Sequence, residues 1–159
     1  MDRVILDHSK WLIVGATAAR VLVARSGAAV TFVGGALTAM ASARGLKKII
    51  GEKRPAEAPQ FKRSEGMPSS HSCNLTYYLL QIGFAFGFDS GVFALAAVSW
   101  LVLLTWRVRH KYHTAAQVAA GIFLGIVVTL AWNAAVRHFQ LDAWVAQTVN
   151  RITGMPLLI

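Results

Sequence analysis

Two histidines, three cations and a pair of adjacent serines carry most of the chemistry this chain can offer. Lys47 and Arg54 are separated by six residues, and Pro55 follows Arg54. Pro68 precedes Ser69, Ser70 and His71, while Arg107 and His113 are separated by five residues, with Gln117 four beyond His113. Guanidinium forks suit phosphate oxygens, and Lys47 adds a third positive charge. Ser69 and Ser70 are both good N-caps, and a helix opening there aims backbone N–H groups and its dipole at an anion. His71 and His113 can serve as acid and nucleophile. On a helix, His113 and Gln117 share one face, so the amide can hold the imidazole in one tautomer. Arg54 precedes a proline and is biased out of helix, which turns it from Lys47's helix towards the loop. The composite is a phosphate pocket with a histidine nucleophile.

Other chemistries are poorly served. Cys73 is the single cysteine, which excludes internal disulfides and a cysteine-based zinc site. A thiol-phosphatase loop needs an arginine six residues on, where this chain has Leu79. Metal-dependent phosphoryl transfer uses clustered carboxylates, but Asp2, Asp7, Asp89 and Asp142 show no paired spacing. Neither a metal nor another cofactor is expected. His8 and His138 read as interfacial side chains, and His110 flanks the candidate site without a role that its neighbours define.

The elements that must position these groups are membrane helices. Of 159 residues, 55% are hydrophobic and 14% charged, against roughly 25% charged in a soluble domain. Mean hydropathy is +0.50, which excludes a disordered chain and disfavours a soluble one. Sixteen Lys and Arg against seven acids give a formal charge of +9. In a soluble protein that balance would suggest nucleic acid; here it points to anionic head groups or phosphate chemistry instead. The expectation is one all-α integral membrane domain over residues 1–159.

Residues 10–24, with Arg20 near their end and Arg25 directly after them, read as a short first span or an interfacial helix, not a cleavable signal. Residues 26–43 are uncharged, and a basic patch follows. Pro55, Pro59 and Pro68 place a polar loop over 51–68. Further spans are expected at 71–87, 92–106 and 114–136, with a turn at 87–91 and a mixed, amphipathic tail over 137–159. The bundle thus has four to five helical spans, since backbone in lipid must satisfy its own hydrogen bonds. Gly83-xxx-Gly87 and Gly121-xxx-Gly125 offer small-residue packing faces. By parity, the hairpin of 71–87 and 92–106 returns the three polar clusters to one membrane face.

Lys47-x6-Arg54-Pro55, Pro68-Ser69-Ser70-His71 and Arg107-x5-His113, in that order, resemble the tripartite signature of the type 2 phosphatidic acid phosphatases, which are metal-independent lipid phosphate phosphatases. The resemblance covers residues 47–117. The general family has Gly in place of Ser70, Asp in place of Gln117 and Ser in place of Trp106. Gly66-Met67-Pro68-Ser69-Ser70-His71-Ser72 and Tyr112-His113-Thr114-x2-Gln117-Val118 are similar to the dolichyldiphosphatase branch, where Ser-Ser-His and Gln take those places. Trp106 departs from both.

The resemblance implies that His113 attacks phosphorus to form a phosphohistidine, and that His71 protonates the leaving oxygen and then activates water. It implies that Gln117 orients His113, and that Lys47, Arg54, Ser69, Ser70 and Arg107 hold the phosphoryl oxygens. The implied reaction converts dolichyl diphosphate to dolichyl phosphate and inorganic phosphate, recycling the glycosylation carrier lipid at the endoplasmic reticulum. A phosphate monoester anion leaves more readily than an alkoxide, so a neutral Gln117 suits a diphosphate. Phosphatidic acid or another lipid phosphate is the alternative substrate, and a non-catalytic anionic-lipid binder is the remote one. The cation-rich face would lie in the cytosol by the positive-inside rule, whereas the resemblance implies a lumenal site.

Overall fold

A computed structural model of the chain describes residues 26–58 and 64–153. The expected first segment, 10–24, and Pro59 lie outside the described residues. Five α-helices make up the regular structure that is described: α1 (Gly27–Ile50), α2 (Ser70–Phe86), α3 (Gly91–Arg109), α4 (Ala115–His138) and α5 (Leu141–Thr153). The all-α architecture expected from sequence is the observed one.

Local signals account for the helix ends. The Ser90 hydroxyl accepts the Phe93 N–H at 3.1 Å and caps α3. Thr114 does the same for α4, its hydroxyl accepting the Gln117 N–H at 3.1 Å. At the other end of α2, Gly87 takes φ +89, a conformation that costs glycine little. Its N–H bonds the Gly83 carbonyl, and the chain turns directly into α3.

Three helices, α1, α3 and α4, are long and apolar enough to cross a membrane. Helix α2 has 17 residues, at the short end of the roughly 17–25 that span a bilayer. Their surfaces are inverted relative to a soluble protein. Leu95, Val98, Leu101 and Val102 on α3, and Phe123, Ile126, Val127 and Leu130 on α4, are exposed. The buried positions of α4 are Gln117, Val118, Gly121, Gly125, Val128 and Thr129. An apolar exterior around a small and polar interior is the arrangement lipid favours, because packing rather than water drives helix association there.

The described residues form two compact units. In one, residues 26–34 pair with 132–153. The Trp132 indole N–H donates to the Thr31 carbonyl at 3.0 Å, and the Thr31 hydroxyl donates to Asp142. A Cβ on Gly34 would sit 2.9 Å from the Trp132 ring, so the small residue admits the indole. The amphipathic tail expected from sequence is α5, which supplies Asp142 and the buried Ala146 to this unit.

The other unit, residues 35–131, contains the three polar clusters. Ala36, Ala39, Ala43 and Lys47 form the buried stripe of α1. Their spacing is helical, so Lys47 ends a face of alanines and is carried inward with it. Helices α2 and α3 form the expected hairpin, tied by the Trp100 indole donating to the Thr76 hydroxyl at 3.1 Å.

Helix α4 approaches α2 through Gly121 and Gly125. A Cβ at Gly121 would stand 2.5 Å from the Ser69 carbonyl oxygen, and one at Gly125 would stand 2.6 Å from that of Cys73. Gly83-xxx-Gly87 is used differently. Gly83 accommodates the Phe88 ring from the following turn, and Gly87 ends the helix, so that pair is no interhelical face. Gly121→Leu should therefore push α4 off α2 and destabilise the fold by about 1–3 kcal/mol. Thermal unfolding in detergent would show it as a lowered midpoint, and an unchanged midpoint would contradict the close packing.

Candidate functional site

The start of α2, the loop after α1 and the turn between α3 and α4 supply the polar groups, and His113 lies where they meet. The Arg54 Nη1 stands 2.9 Å from His113 Nε2. Guanidinium nitrogen only donates, so Nε2 accepts and carries the lone pair. The other ring nitrogen, Nδ1, then carries the proton and donates to Gln117 Oε1 at 3.1 Å. The tautomer follows from its two partners: a proton on Nδ1 and a nucleophilic lone pair on Nε2.

The Gln117 amide is held as firmly as the histidine. Its Oε1 also accepts the Thr114 N–H at 3.3 Å. Its Nε2 donates to Glu52 Oε1 at 2.7 Å and to the Lys53 carbonyl at 2.9 Å. Both of those partners only accept, so they fix which end of the amide faces His113. Backbone pairing adds to this, since the Ser69 N–H donates to the Gln117 carbonyl at 3.0 Å. The second and third clusters are thereby joined.

The first cluster reaches the same place. Arg54 also donates through Nη1 to the Tyr112 carbonyl at 2.8 Å, through Nε to the Ser64 carbonyl at 2.9 Å and through Nη2 to the Ser64 hydroxyl at 3.2 Å. Lys47 Nζ donates to the Glu65 carbonyl at 2.6 Å and the Gly66 carbonyl at 3.3 Å, just before Pro68. The Gly66 N–H in turn donates to the Glu52 carbonyl at 2.6 Å. The loop is thus laced to both ends of the signature.

Arg107 is buried, 3% exposed, on the last turn of α3. Its guanidinium carbon lies 5.4 Å from the Trp106 ring centroid and 5.2 Å from that of Tyr112, both within cation–π range. His110 stacks on Trp106 at 4.4 Å, and its Nδ1–H donates to the Trp106 carbonyl at 3.0 Å. Trp106, the departure from the family pattern, is therefore part of an aromatic bracket for Arg107. His110, without a role in the sequence, supports that bracket.

The serines divide their work. Ser69 is fully buried and caps α2, its hydroxyl accepting the Ser72 N–H at 3.3 Å and the Ser72 hydroxyl at 2.9 Å. Ser70 and His71 follow on the first turn of α2 and are half-buried. Among the described residues, no three His, Cys, Asp or Glu side chains gather as a metal site would require.

Electrostatics favours a neutral imidazole. Burial, then the Arg54 charge, push the His113 pKa down to about 3, with Lys47 and Arg107 adding to the fall and the Gln117 hydrogen bond opposing it. All three cations are therefore close enough to act on one ring. An anion entering the pocket would be attracted by the same charges that keep the ring unprotonated.

Glu52 and Ser64 are the site residues that sequence reasoning passed over, while Gly66 and Tyr112 stand in the quoted motifs without a role. Glu52 did carry a signal: an acid inside a cationic cluster, two residues before Arg54. Gly66 opens one of the quoted motifs, but its type alone does not say what it makes room for. Its missing Cβ would stand 2.6 Å from the Gln117 amide carbon.

Two outcomes follow. His113 should ionise near pH 3 and not near 6.5 in a nitrogen-15 NMR titration, so a rate that needs its lone pair does not fall as pH drops through 6.5. Arg54→Gln removes the nearest charge and should raise that midpoint; a wild-type midpoint at 6.5 would contradict the electrostatic account. Gly66→Ala should displace the Gln117 amide and lower kcat by about a hundredfold, as a small misplacement near reacting groups does. Wild-type turnover in that variant would show the contact to be slack.

Comparison with known proteins adds a family. The model of the Divergent PAP2 family matches residues 29–111, which include the first two clusters and Arg107 but stop short of His113 and Gln117. Lipid phosphate phosphatase epsilon 2, chloroplastic, of Arabidopsis thaliana is 27% identical over 143 residues, covering 86% of this chain and 49% of its own length. Dolichyldiphosphatase 1 of Dictyostelium discoideum is 34% identical over 104 residues, covering 58% of this chain and 45% of its own. Lipid phosphate phosphatase epsilon 1, chloroplastic, of Arabidopsis thaliana is 28% identical over 163 residues, with 96% and 57% covered. The chain spans about half the length of these relatives. No solved structure matches it significantly.

Proposed function

The chain belongs to the Divergent PAP2 family, and from that premise we propose that it is an integral membrane lipid phosphatase working through a phosphohistidine. The observation that carries the reading is the paired contact of His113, Nδ1 to Gln117 and Nε2 to Arg54. A phosphate binding between Arg54, Lys47 and Arg107 would draw the Arg54 guanidinium onto its oxygens and release the Nε2 lone pair. His113 Nε2 then attacks phosphorus as the bond to the leaving oxygen breaks. His71 gives that oxygen its proton and afterwards takes one from the water that hydrolyses the phosphohistidine. The three cations offset charge on the equatorial oxygens through the transition state. Ser70 and the α2 N-terminus add hydrogen bonds, with Ser69 holding that terminus open by its cap. No step calls for a metal.

The preferred substrate is a polyprenyl diphosphate such as dolichyl diphosphate, with the site on the lumenal face of the endoplasmic reticulum membrane and the whole signature in a single phosphatase domain. The dolichyldiphosphatase relative supports this, as does the neutral Gln117, which stabilises an imidazolium less than a carboxylate would. The second reading, a lipid phosphate monoester such as phosphatidic acid, is favoured by the two lipid phosphate phosphatase relatives.

Phosphate release from detergent-solubilised protein, measured on each pure lipid with excess chelator present, decides between them. Dolichyl diphosphate should be hydrolysed faster than phosphatidic acid. A reversed order would select the second reading, and chelator-sensitive activity would defeat the mechanism. His71→Ala should slow turnover by about 10²–10⁴-fold, the usual worth of a general acid, while leaving substrates with good leaving groups less affected. An equal loss on all substrates would remove His71 from that role.

A further inference from the structure

We propose that Glu52 is a positioning residue for His113, acting through the Gln117 amide. The proposal rests on the reading of His113 as nucleophile and deepens it. Three hydrogen-bonded groups stand in line: the Glu52 carboxylate, 2.7 Å from Gln117 Nε2, and Gln117 Oε1, 3.1 Å from His113 Nδ1. A carboxylate pulling on one end of an amide polarises it, so the oxygen at the other end becomes a stronger acceptor, as linked hydrogen bonds do. The pair Gln117–Glu52 thus recovers, at one remove, part of what a single carboxylate against the imidazole would provide directly.

The chemistry of the step makes the charge useful. When the Nε2 lone pair forms its bond to phosphorus, the electron pair of the breaking P–O bond leaves on oxygen. The ring becomes a phosphorylated imidazolium with its proton still on Nδ1. Positive charge then grows on a buried ring, 3% exposed, already facing Arg54, Lys47 and Arg107. Glu52 is the carboxylate bonded into the network behind that ring. No proton needs to pass to it; polarisation alone is enough.

A second consequence concerns orientation. If the Gln117 amide turned over, its NH₂ would face Nδ1, the proton would move to Nε2, and the nucleophilic lone pair would be lost. Glu52 and the Lys53 carbonyl together prevent this, because neither can face an amide oxygen without repulsion.

Glu52→Gln isolates the charge. The variant keeps a side-chain oxygen able to accept from Gln117 Nε2 and keeps the backbone carbonyl that bonds Gly66. In solubilised full-length protein, kcat on dolichyl diphosphate should fall about tenfold or more, the usual worth of a residue that supports a reacting group from behind. KM should not change, since the interaction strengthens only as the ring charges. A substrate-free signature accompanies this: the downfield proton resonance of His113 Nδ1–H should move upfield as its hydrogen bond to Gln117 weakens. Wild-type kcat in Glu52→Gln, or a resonance that does not move, would overturn the proposal. Absence of any lipid phosphatase activity in the wild-type protein would instead remove the catalytic reading, and the resonance alone would then decide whether Glu52 acts on His113.

Discussion

A buried imidazole has to stay neutral and correctly protonated among three cations: burial and the Arg54 charge keep His113 neutral, and its two contacts place its proton. Arg54 takes the lone pair of Nε2 and Gln117 takes the proton of Nδ1. The Arg54 contact already requires the proton of the neutral ring to sit on Nδ1, and Gln117 gives that proton its acceptor. Together they define a ring with its proton on Nδ1 and its Nε2 lone pair covered by a guanidinium, the resting state that the proposed phosphoryl transfer needs. The cations that the proposal assigns to the phosphate also depress the ring's basicity, so the charges that would attract an anion are the ones that keep the ring unprotonated.

The fold exists around that constraint. A face of alanines delivers Lys47 inward, two glycines let α4 lie against the opening turn of α2, and the α2–α3 hairpin brings Arg107 back to the same end. Large apolar side chains are turned outward on α3 and α4. In lipid this frees the interior for small and polar residues, which is where a phosphate site needs them. The polar loop, otherwise costly beside a membrane, has its backbone groups taken up by Lys47, Arg54 and Gln117.

Much of this was legible from residue types. Runs without charge located α2 to α4 within a few residues, because composition governs insertion more strongly than it governs soluble packing. Helix α1 instead runs past the expected end at 43 to Ile50 and carries Arg44, Lys47 and Lys48 within it. Span parity anticipated that Lys47, Arg54 and Arg107 act on His113, and the helical spacing of His113 and Gln117 anticipated their bond. What escaped the sequence depended on three-dimensional approach. Glu52 lies in a polar loop where any acid reads as a solvated charge. Gly66 matters only because the Gln117 amide occupies the space of its absent side chain. Trp106 looked like a lost hydroxyl, yet its ring, with Tyr112, brackets Arg107. Gly83-xxx-Gly87 had the spacing of a packing face and serves a turn instead.

The proposed phosphoryl transfer passes through a covalent bond to His113, which one trapping experiment can detect. Solubilised protein is mixed with dolichyl diphosphate labelled in its terminal phosphate, quenched with base within a turnover, digested and mapped by mass spectrometry. One phosphorylated peptide is expected, modified on Nε2 of His113, stable in base and lost in acid, as phosphohistidine is. Turnover with no label on the protein, or label on a different residue, would contradict it.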